Sequence, residues 1–390
     1  MNRRRFCQSM LLASAAGFFP TLRTAHATSG AVDYGATKGV GPDLVEVAHS
    51  PWVCNAAAVT RDGKVFFGLP RWSDTAETPS VARLGENGQL EPFPGGGWNA
   101  WQPGEPGDEA FVSVNAIHIF DDDTLWVVDK GSPTAGAPSQ RLLQFDTGSG
   151  ALLRTITFDE AALPPGAGIN DLRFDAENIY VTDSGAGAIL VHNLESGRTL
   201  RRLADHASTK ASPERPPYGE GGQLLQHADG SPFVVHADQL EISPDGHWLY
   251  YQAVTGPLYR VPTTALRDES LSEEALAEQV EFFYDTPTLM GTGMDDAGNI
   301  YMAEFGNPRI TVLSPDGTLR VLAEDDRLWG PDALFISEQR EIYIPCPQLG
   351  RHAANRGPDG EDAVVLPYTI YKVALPDTFG GRQPVPPVAT

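Results

Sequence analysis

Side chains that carry oxygen recur at matched positions along this sequence, and their types suit metal or hydroxyl binding. Six segments share one pattern: a small polar residue, an alternating apolar strand, a turn with Asp, Gly or Asn, and a second strand with an aromatic residue. The residues that start them are Asn55, Asn115, Asn170 with Asp171, Asp238, Gly291 and Asp332. If these starting residues converge, their oxygens could hold Ca²⁺ or Mg²⁺, or hydrogen-bond a hydroxylated ligand.

The starting residues also have a purely structural interpretation. Asn and Asp ahead of a strand commonly cap turns and accept hydrogen bonds from local backbone N–H groups. For any single residue this alternative is the stronger one, but five of the six segments start with Asn or Asp. The group therefore favours a functional centre, with Asp238 or Asp171 as the candidate general base.

Candidates for ligand contact lie at or beside these positions. They are Asn115, Asn170, Asp332, Arg71, Trp72, Trp329 and His236. Arg and Trp are frequent in ligand-facing sites, although packing within loops explains them equally well. His236 precedes Asp238 by two residues and could act as a base, but a lone His is more often a structural hydrogen-bonding group.

The elements that must position these residues are strands. Further short strands lie between the six hairpins, so each repeat holds about four strands, as a propeller blade does. The sequence therefore predicts an all-β fold, a six-bladed β-propeller, whose inner strands line a central channel. Strand-like residues 43–48 and 369–375 predict that one blade combines both ends of the chain. Helical periodicity is convincing only over 268–283.

The first 27 residues resemble an export signal. Three arginines at 3–5 precede an apolar stretch at 10–19 and a small-residue cleavage pattern at 25–27. The head is similar to a twin-arginine signal, with a general secretory signal as the alternative. We expect a bacterial protein that is periplasmic or secreted. The predicted divisions are a cleaved signal (1–27), a flexible segment (28–42), the propeller (43–376) and a Pro-rich tail (377–390).

The charge of the chain limits its partners. The 390 residues carry a formal net charge of −23, and loss of the four arginines in the signal would take it to −27. Such an acidic chain repels nucleic acid and anionic membrane surfaces. No apolar run is suited to membrane insertion. The expected partner is therefore a small molecule, and the sequence leaves the oligomeric state open.

Two cysteines remain after the signal, Cys54 and Cys346. They flank the first and last hairpins, so closure of the ring would bring them into neighbouring blades. A disulfide across that junction and a pair of buried free thiols are both compatible with the sequence.

Several longer motifs of the chain are shared with a known family. They are FFGLPRW (66–72), VNAIHIFDDDTLWVVDKG (114–131), INDLRFDAENIYVTDSG (169–185), ADHASTKASPE (204–214), DQLEISPDGHWLYYQAVTGPLYRVPT (238–263) and LWGPDALFI (328–336). In these motifs the sequence resembles the yellow/major royal jelly protein family over roughly residues 44–375. The resemblance implies a six-bladed propeller with a ligand-binding central channel. Insect members of the family are linked to pigment-pathway tautomerisation, amine binding and nutrition.

A weaker resemblance is to the regucalcin-like sugar lactonases, which are also six-bladed and bind a divalent metal at the starts of inner strands. By this resemblance, Asp238 and Asn170 are the candidate metal ligands for Ca²⁺ or Mg²⁺, and Asn170 with Asp171 is similar to their substrate-side Asn-Asp pair. Met290 stands where those enzymes have a metal-binding Asp, and their early Glu has no counterpart before Asn55. If a metal is bound, its ligand set must differ.

The sequence thus favours an exported enzyme that acts on a small oxygen-rich molecule, most concretely a hydrolase of sugar lactones. A cation or Asn donors would polarise the lactone carbonyl, and Asp238 or Asp171 would activate water. The alternatives are a non-catalytic propeller that binds a small ligand, and a tautomerase or isomerase.

Overall fold

The computed structural model describes residues 37–38, 42–72, 77–120, 122–132, 140–379 and 381. The predicted export signal (1–27) and most of the predicted segments 28–42 and 377–390 lie outside these residues. The described chain forms six antiparallel sheets arranged in a ring, which we number blades 1 to 6. The predicted six-bladed β-propeller is therefore confirmed.

The strands follow one another from the channel outwards in each blade. The first two strands of the chain are β1 (Thr37–Lys38) and β2 (Val45–Ser50). Blade 1 contains β3 (Ala56–Val59), β4 (Val65–Gly68), β5 (Val81–Leu84) and β6 (Leu90–Pro92). Blade 2 contains β7 (Val114–Ile119), β8 (Thr124–Asp129), β9 (Arg141–Asp146) and β10 (Leu152–Thr157). Blade 3 contains β11 (Ile169–Phe174), β12 (Asn178–Asp183), β13 (Ala188–Asn193) and β14 (Thr199–Arg202).

The remaining blades have the same order. Blade 4 contains β15 (Ala237–Ile242), β16 (Trp248–Ala253), β17 (Leu258–Pro262) and β18 (Glu281–Tyr284). Blade 5 contains β19 (Leu289–Met294), β20 (Ile300–Glu304), β21 (Arg309–Leu313) and β22 (Leu319–Glu324). Blade 6 contains β23 (Phe335–Ile336), β24 (Glu341–Pro345), β25 (Tyr368–Ala374) and, outermost, β2.

Helices are few and short in the described residues. Both α-helices, α1 (Thr263–Arg267) and α2 (Glu273–Ala277), lie between the last two strands of blade 4. The helix predicted over 268–283 is thus limited to α2, which Ser272 caps, and its last residues form β18. The short 3₁₀ helices are Gly96–Asn99, Ala207–Thr209, Glu220–Gly222, Leu349–Arg351 and Ala353–Asn355. None of the described helices is long and apolar enough to cross a membrane.

Both ends of the chain meet in blade 6, as the sequence predicts. Strand β2 pairs antiparallel with β25, so an N-terminal strand completes a sheet whose other strands come from the C-terminal part. The pairing satisfies the backbone groups on the outer side of β25 and gives blade 6 its fourth strand. In addition, β1 pairs parallel with β22 and extends blade 5, which the sequence analysis did not predict.

The hydrophobic core lies between neighbouring blades. Strands β8 and β12 are buried at every position, because adjacent sheets cover both of their faces. The aromatic residue near the end of each hairpin often contributes a buried hydrogen bond as well as bulk. Tyr180 and Tyr301 are fully buried, and their hydroxyls donate to Asp175 (2.7 Å) and Asp295 (2.9 Å) in the turns of their own hairpins. In these two hairpins, the spacing between the turn and the aromatic residue allows the tyrosine hydroxyl to reach the turn aspartate.

Buried acidic residues hold the loops at the end of the channel where the inner strands begin. Asp129 accepts hydrogen bonds from the backbone N–H groups of residues 112, 113 and 131 and forms a 3.1 Å salt bridge with Arg141. Asp183 does the same for residues 168, 185 and 186 and pairs with Arg201 at 2.7 Å. These contacts fix the loops around the channel mouth, so a site there is preorganised.

Closure of the ring by β2 leads to a prediction for stability. Ala48 is 4% exposed and packs in the core between blades 6 and 1, whereas Val45 on the same strand is 46% exposed. We expect Ala48→Asp to lower the free energy of unfolding by about 3 kcal/mol or more, because it buries an unpaired charge. Val45→Asp is the matched control and should change it by less than about 0.5 kcal/mol. Urea denaturation measures both, and equal effects would contradict a closing role for β2.

Candidate active site at the channel mouth

A cavity of about 730 Å³ opens at the end of the channel where the inner strands start. Polar side chains from these strands form what we term the floor: Asn55, Asn115, Asn170, Asp171, Asp238, Gln239 and Asp332, together with Lys130. Loop residues form the wall, which is largely aromatic and apolar: Trp52, Trp72, Phe233, Val235, Leu349, His352 and Tyr368. An apolar wall around a few convergent polar groups is typical of a small-molecule site.

Irregular strand pairing turns the floor residues towards the channel axis. In β7, β11, β15 and β19 the register shifts directly after the first paired residue, so the next residue or two stay outside the ladder. Asn115, Asn170 and Asp238 lie at these shifts, and Met290 occupies the same place in blade 5. Bulges of this kind commonly re-aim side chains at functional sites. The fifth equivalent residue is thus Met290 rather than Gly291, which pairs with Ala303.

Gly291 has a different role from the one that its place in the repeat suggests. A Cβ atom at this position would lie 2.5 Å from the backbone of Asp332, which is closer than any side chain tolerates. The glycine therefore lets the loop before blade 6 approach blade 5. That approach brings Asp332 to the floor.

The amide side chains of the floor form a hydrogen-bonded chain from blade to blade. Asn55 Nδ2 donates to the backbone oxygen of Asn115 (2.7 Å), and Asn115 Nδ2 donates to Asn170 Oδ1 (2.8 Å). Asn170 Nδ2 donates to Asp238 Oδ1, and Gln239 Nε2 donates to Asp238 Oδ2 (2.6 Å). Every bond in this amide chain leads towards Asp238, which is its final acceptor.

Burial is the main cause of the raised pKa of Asp238. The carboxyl is 8% exposed, and burial together with the neighbouring charge of Asp171 raises its pKa to about 8, although Lys130 and the Asn170 amide act in the opposite direction. Burial and the charge of Asp238 also raise the pKa of Asp332 well above its ordinary value. The floor therefore holds two carboxyl groups whose pKa values are raised by burial and by the charge of a neighbouring carboxylate.

The third floor carboxylate, Asp171, forms a buried ion pair. Arg173 Nη1 donates to Asp171 Oδ2 at 2.8 Å, and its other nitrogens donate to Glu241 at 2.8 and 3.0 Å. Burial alone would lower the pKa of Arg173, but the two carboxylates raise it above its ordinary value. Arg173 and Glu241 also line a second, small void of about 20 Å³.

The described floor residues do not fit the predicted Ca²⁺ or Mg²⁺ site. No three Asp, Glu, His or Cys side chains among them are grouped as metal ligands. Both oxygens of Asp238 accept amide N–H groups, and one of these comes from Asn170, the other candidate ligand. Met290, which lies at the register shift of β19 and lines the cavity, carries a thioether, and this group is a poor ligand for Ca²⁺ or Mg²⁺.

Lys130 is a floor residue that the sequence analysis missed. It follows β8 directly, and its backbone N–H donates to the oxygen of Ser113 (2.8 Å) at the cavity end of blade 2. Burial lowers its pKa, while the charges of Asp238 and Asp183 act in the opposite direction. The signal was present in the repeat: Asp129-Lys130-Gly131 corresponds to Asp183-Ser184-Gly185, and both middle residues line the cavity.

The remaining predicted contact residues divide into two groups. Trp72 is on the wall, 41% exposed, with its ring 5.4 Å from that of His352. Arg71, Trp329 and His236 are not among the cavity-lining residues. Arg71 is buried and its guanidinium lies 5.3 Å from the ring of Trp101.

The last two of these have structural partners of their own. Trp329 lies under the guanidinium of Arg351 at 4.0 Å. His236 Nδ1 accepts a hydrogen bond from the backbone of Ala211 (3.0 Å), in line with the structural interpretation of this histidine.

Cys54 and Cys346 are free, buried thiols, and burial raises the pKa of both. Of the two alternatives for this pair, the structure therefore has the free thiols and not the disulfide.

The comparison with family models identifies the chain. The model for the major royal jelly protein matches residues 112–348, which include every floor residue except Asn55. This chain belongs to the major royal jelly protein family. Its motifs in 114–131, 169–185 and 238–263 contain the floor residues of blades 2, 3 and 4. No curated protein matches the chain in sequence.

Solved structures of low sequence identity share the fold of this royal jelly family member. A calcium-binding protein, regucalcin, from Agrobacterium tumefaciens has a TM-score of 0.55 at 16% identity, covering 90% of this chain and 100% of its own. A gluconolactonase from Xanthomonas campestris has a TM-score of 0.52 at 13% identity (85% and 89% covered). A luciferin-regenerating enzyme has a TM-score of 0.52 at 14% identity (89% and 100%). At these identities the likeness concerns the propeller fold.

The raised pKa of Asp332 predicts how stability depends on pH. A carboxyl whose pKa is higher in the folded state contributes most stability below its unfolded pKa, near 4, and this contribution is lost as the pH rises through the folded value. We therefore expect Asp332→Asn to raise the melting temperature at pH 8 by about 1–3 °C, and by less at pH 5. Asn keeps an oxygen that can accept from the backbone of Ala333.

Asp316→Asn is the matched control for this experiment. Asp316 lies in an exposed turn of blade 5, where hydrogen bonds from Thr318 lower its pKa. Its replacement should slightly lower the melting temperature at pH 8. If Asp332→Asn raised the melting temperature by the same amount at pH 5 and pH 8, the raised pKa of Asp332 in the folded protein would be contradicted.

Proposed function

We propose that this protein is a hydrolase of small lactones and that Asp238 is its general base. The observation that carries the proposal is a buried carboxyl with a pKa of about 8 on the floor of a cavity sized for a small molecule. A general base works best when its pKa lies near the working pH, and burial is the usual means of raising a carboxyl to that range. The gluconolactonase among the fold neighbours makes sugar lactones the first substrates to test.

The geometry around Asp238 suits a base that activates water. Each carboxylate oxygen accepts one amide hydrogen bond from Asn170 or Gln239 and keeps a lone pair that can accept from a water molecule. The two amides fix the plane of the carboxylate, because both side chains are themselves held in place: Asn170 accepts from Asn115, and Gln239 also donates to the backbone oxygen of Leu289 (2.7 Å). Asp238 is thus positioned before substrate binds.

The proposed reaction moves one proton in a cycle. Asp238 takes a proton from water as the water oxygen bonds to the lactone carbonyl carbon, and a tetrahedral oxyanion forms. The bond from that carbon to the ring oxygen then breaks, and Asp238 returns the proton to the departing oxygen. The product is the open hydroxy acid, and the enzyme is unchanged. Asp171, the other candidate base, is held by Arg173 and by a backbone N–H, and it contributes its charge to the floor.

Replacement of Asp238 tests this proposal. We expect Asp238→Asn to reduce kcat/KM for D-glucono-1,5-lactone or dihydrocoumarin by about 10²- to 10⁴-fold, because Asn cannot accept the proton. Wild-type activity, corrected for spontaneous hydrolysis, should rise as the pH increases through about 8, since only the carboxylate acts as base. Asp245→Asn, in the exposed turn at the other end of the same hairpin, should keep wild-type activity.

Two results would overturn the proposal: no hydrolysis of either lactone by the wild-type protein, or full activity in a folded Asp238→Asn variant. In the first case, thermal stabilisation by small molecules would favour the alternative of a ligand-binding propeller.

We also propose that the protein is exported, on the basis of residues 1–27 alone.

A further inference from the structure

Lys130 differs from the other lysines whose side chains the structure describes. Lys64, Lys210 and Lys372 each form a salt bridge of 2.8 or 2.9 Å. Lys130 makes no side-chain hydrogen bond or salt bridge within the described residues, although it lines the cavity and is only partly exposed. A cationic group taken out of water without a direct partner is costly, so its presence at a cavity floor requires an explanation.

The nearby carboxylates do not neutralise Lys130 by contact. Asp183, one of the two acids that act on it, forms its 2.7 Å salt bridge with Arg201 and accepts three backbone N–H groups. Asp238, the other one, has an amide hydrogen bond on each oxygen. The ammonium therefore keeps its N–H donors available towards the cavity.

The rest of the floor offers no other positive charge for a ligand. The Arg173 guanidinium is engaged by Asp171 and Glu241. The described floor residues also do not fit a divalent cation, because amide N–H groups point at Asp238 and Met290 stands on the fifth inner strand. An oxyanion or carbonyl oxygen on the floor would therefore find its positive partner at Lys130.

We propose that Lys130 Nζ is the cation that binds the carbonyl or carboxylate oxygen of the ligand, in place of a divalent metal ion. The ligand class is a small molecule with a lactone, carbonyl or carboxylate head at the floor and a body against Trp52 and Trp72 on the wall. The proposal identifies the ligand group that this site binds, and it rests on the proposed function for the hydrolysis reaction. In hydrolysis the ammonium would donate a hydrogen bond to the tetrahedral oxyanion and keep its proton throughout.

Binding of paired probes with the same body and opposite head charge tests this proposal. The pairs are D-gluconate with D-glucamine, and indole-3-acetate with tryptamine, measured by calorimetry at pH 7. We expect the wild-type protein to bind at least one carboxylate more tightly than its amine partner, and EDTA to leave this affinity unchanged. Lys130→Met should weaken carboxylate binding by about 10- to 100-fold, because it removes a charge-assisted hydrogen bond. Lys130→Arg should restore part of it.

Lys64→Met is the matched control, since it removes an exposed lysine from a hairpin turn and should not alter binding. The proposal is overturned if neither carboxylate binds the wild-type protein, if the amines bind more tightly than the carboxylates, if EDTA abolishes binding, or if folded Lys130→Met binds as the wild type does. Carboxylate binding that depends on Lys130 in a protein without lactone hydrolysis would support this inference while the proposed function fails.

Discussion

The burial of Asp238 at the end of the amide chain is the interaction on which the rest of the site depends. A carboxyl removed from water needs donors, and Asn170 and Gln239 supply them from two blades. Those amides are oriented in turn by Asn115 and by the backbone of Leu289. The polar residues that start blades 1, 2 and 3 thus each donate a hydrogen bond to the next blade. The same burial raises the pKa of Asp238 to about 8 and makes it suitable as a base.

The propeller explains how residues far apart in the chain reach one axis. Each inner strand starts at the same end of the ring, and register shifts in four of them point the next residue inwards. Blade packing and the acids that hold the mouth loops keep these positions fixed, so side-chain chemistry can vary while the fold persists. Met290 on the fifth inner strand and Lys130 on the floor are two side chains that this frame holds at the cavity.

Much of the fold followed from the sequence because the repeat is local. Hairpin spacing and aromatic positions identified six blades, and strand-like segments near both ends predicted closure through β2 and β25. Asn115, Asn170, Asp238 and Asp332 were found because they begin strands, and the structure places them on the floor. The roles of loop residues were harder to predict, because the direction of a loop side chain depends on tertiary contacts. Arg71, for example, packs over the ring of Trp101 and is not among the cavity-lining residues. Lys130 was missed because it follows the second strand of its hairpin, whereas the repeat singles out the residues that start first strands. An alignment of the ends of the second strands places Lys130 at the same position as the cavity-lining Ser184.

The central claim is that amide donors, rather than a metal ion, are the partners of the Asp238 carboxyl, and that the Lys130 ammonium faces the cavity as the cation for a ligand. A crystal structure at pH 7, from crystals grown with millimolar CaCl₂, tests it most directly. The account predicts amide nitrogens on both oxygens of Asp238, the Lys130 ammonium facing the cavity, and no cation on the floor. Density for a calcium ion coordinated by Asp238 and Asp332, with Asn170 turned to present its oxygen, would contradict it.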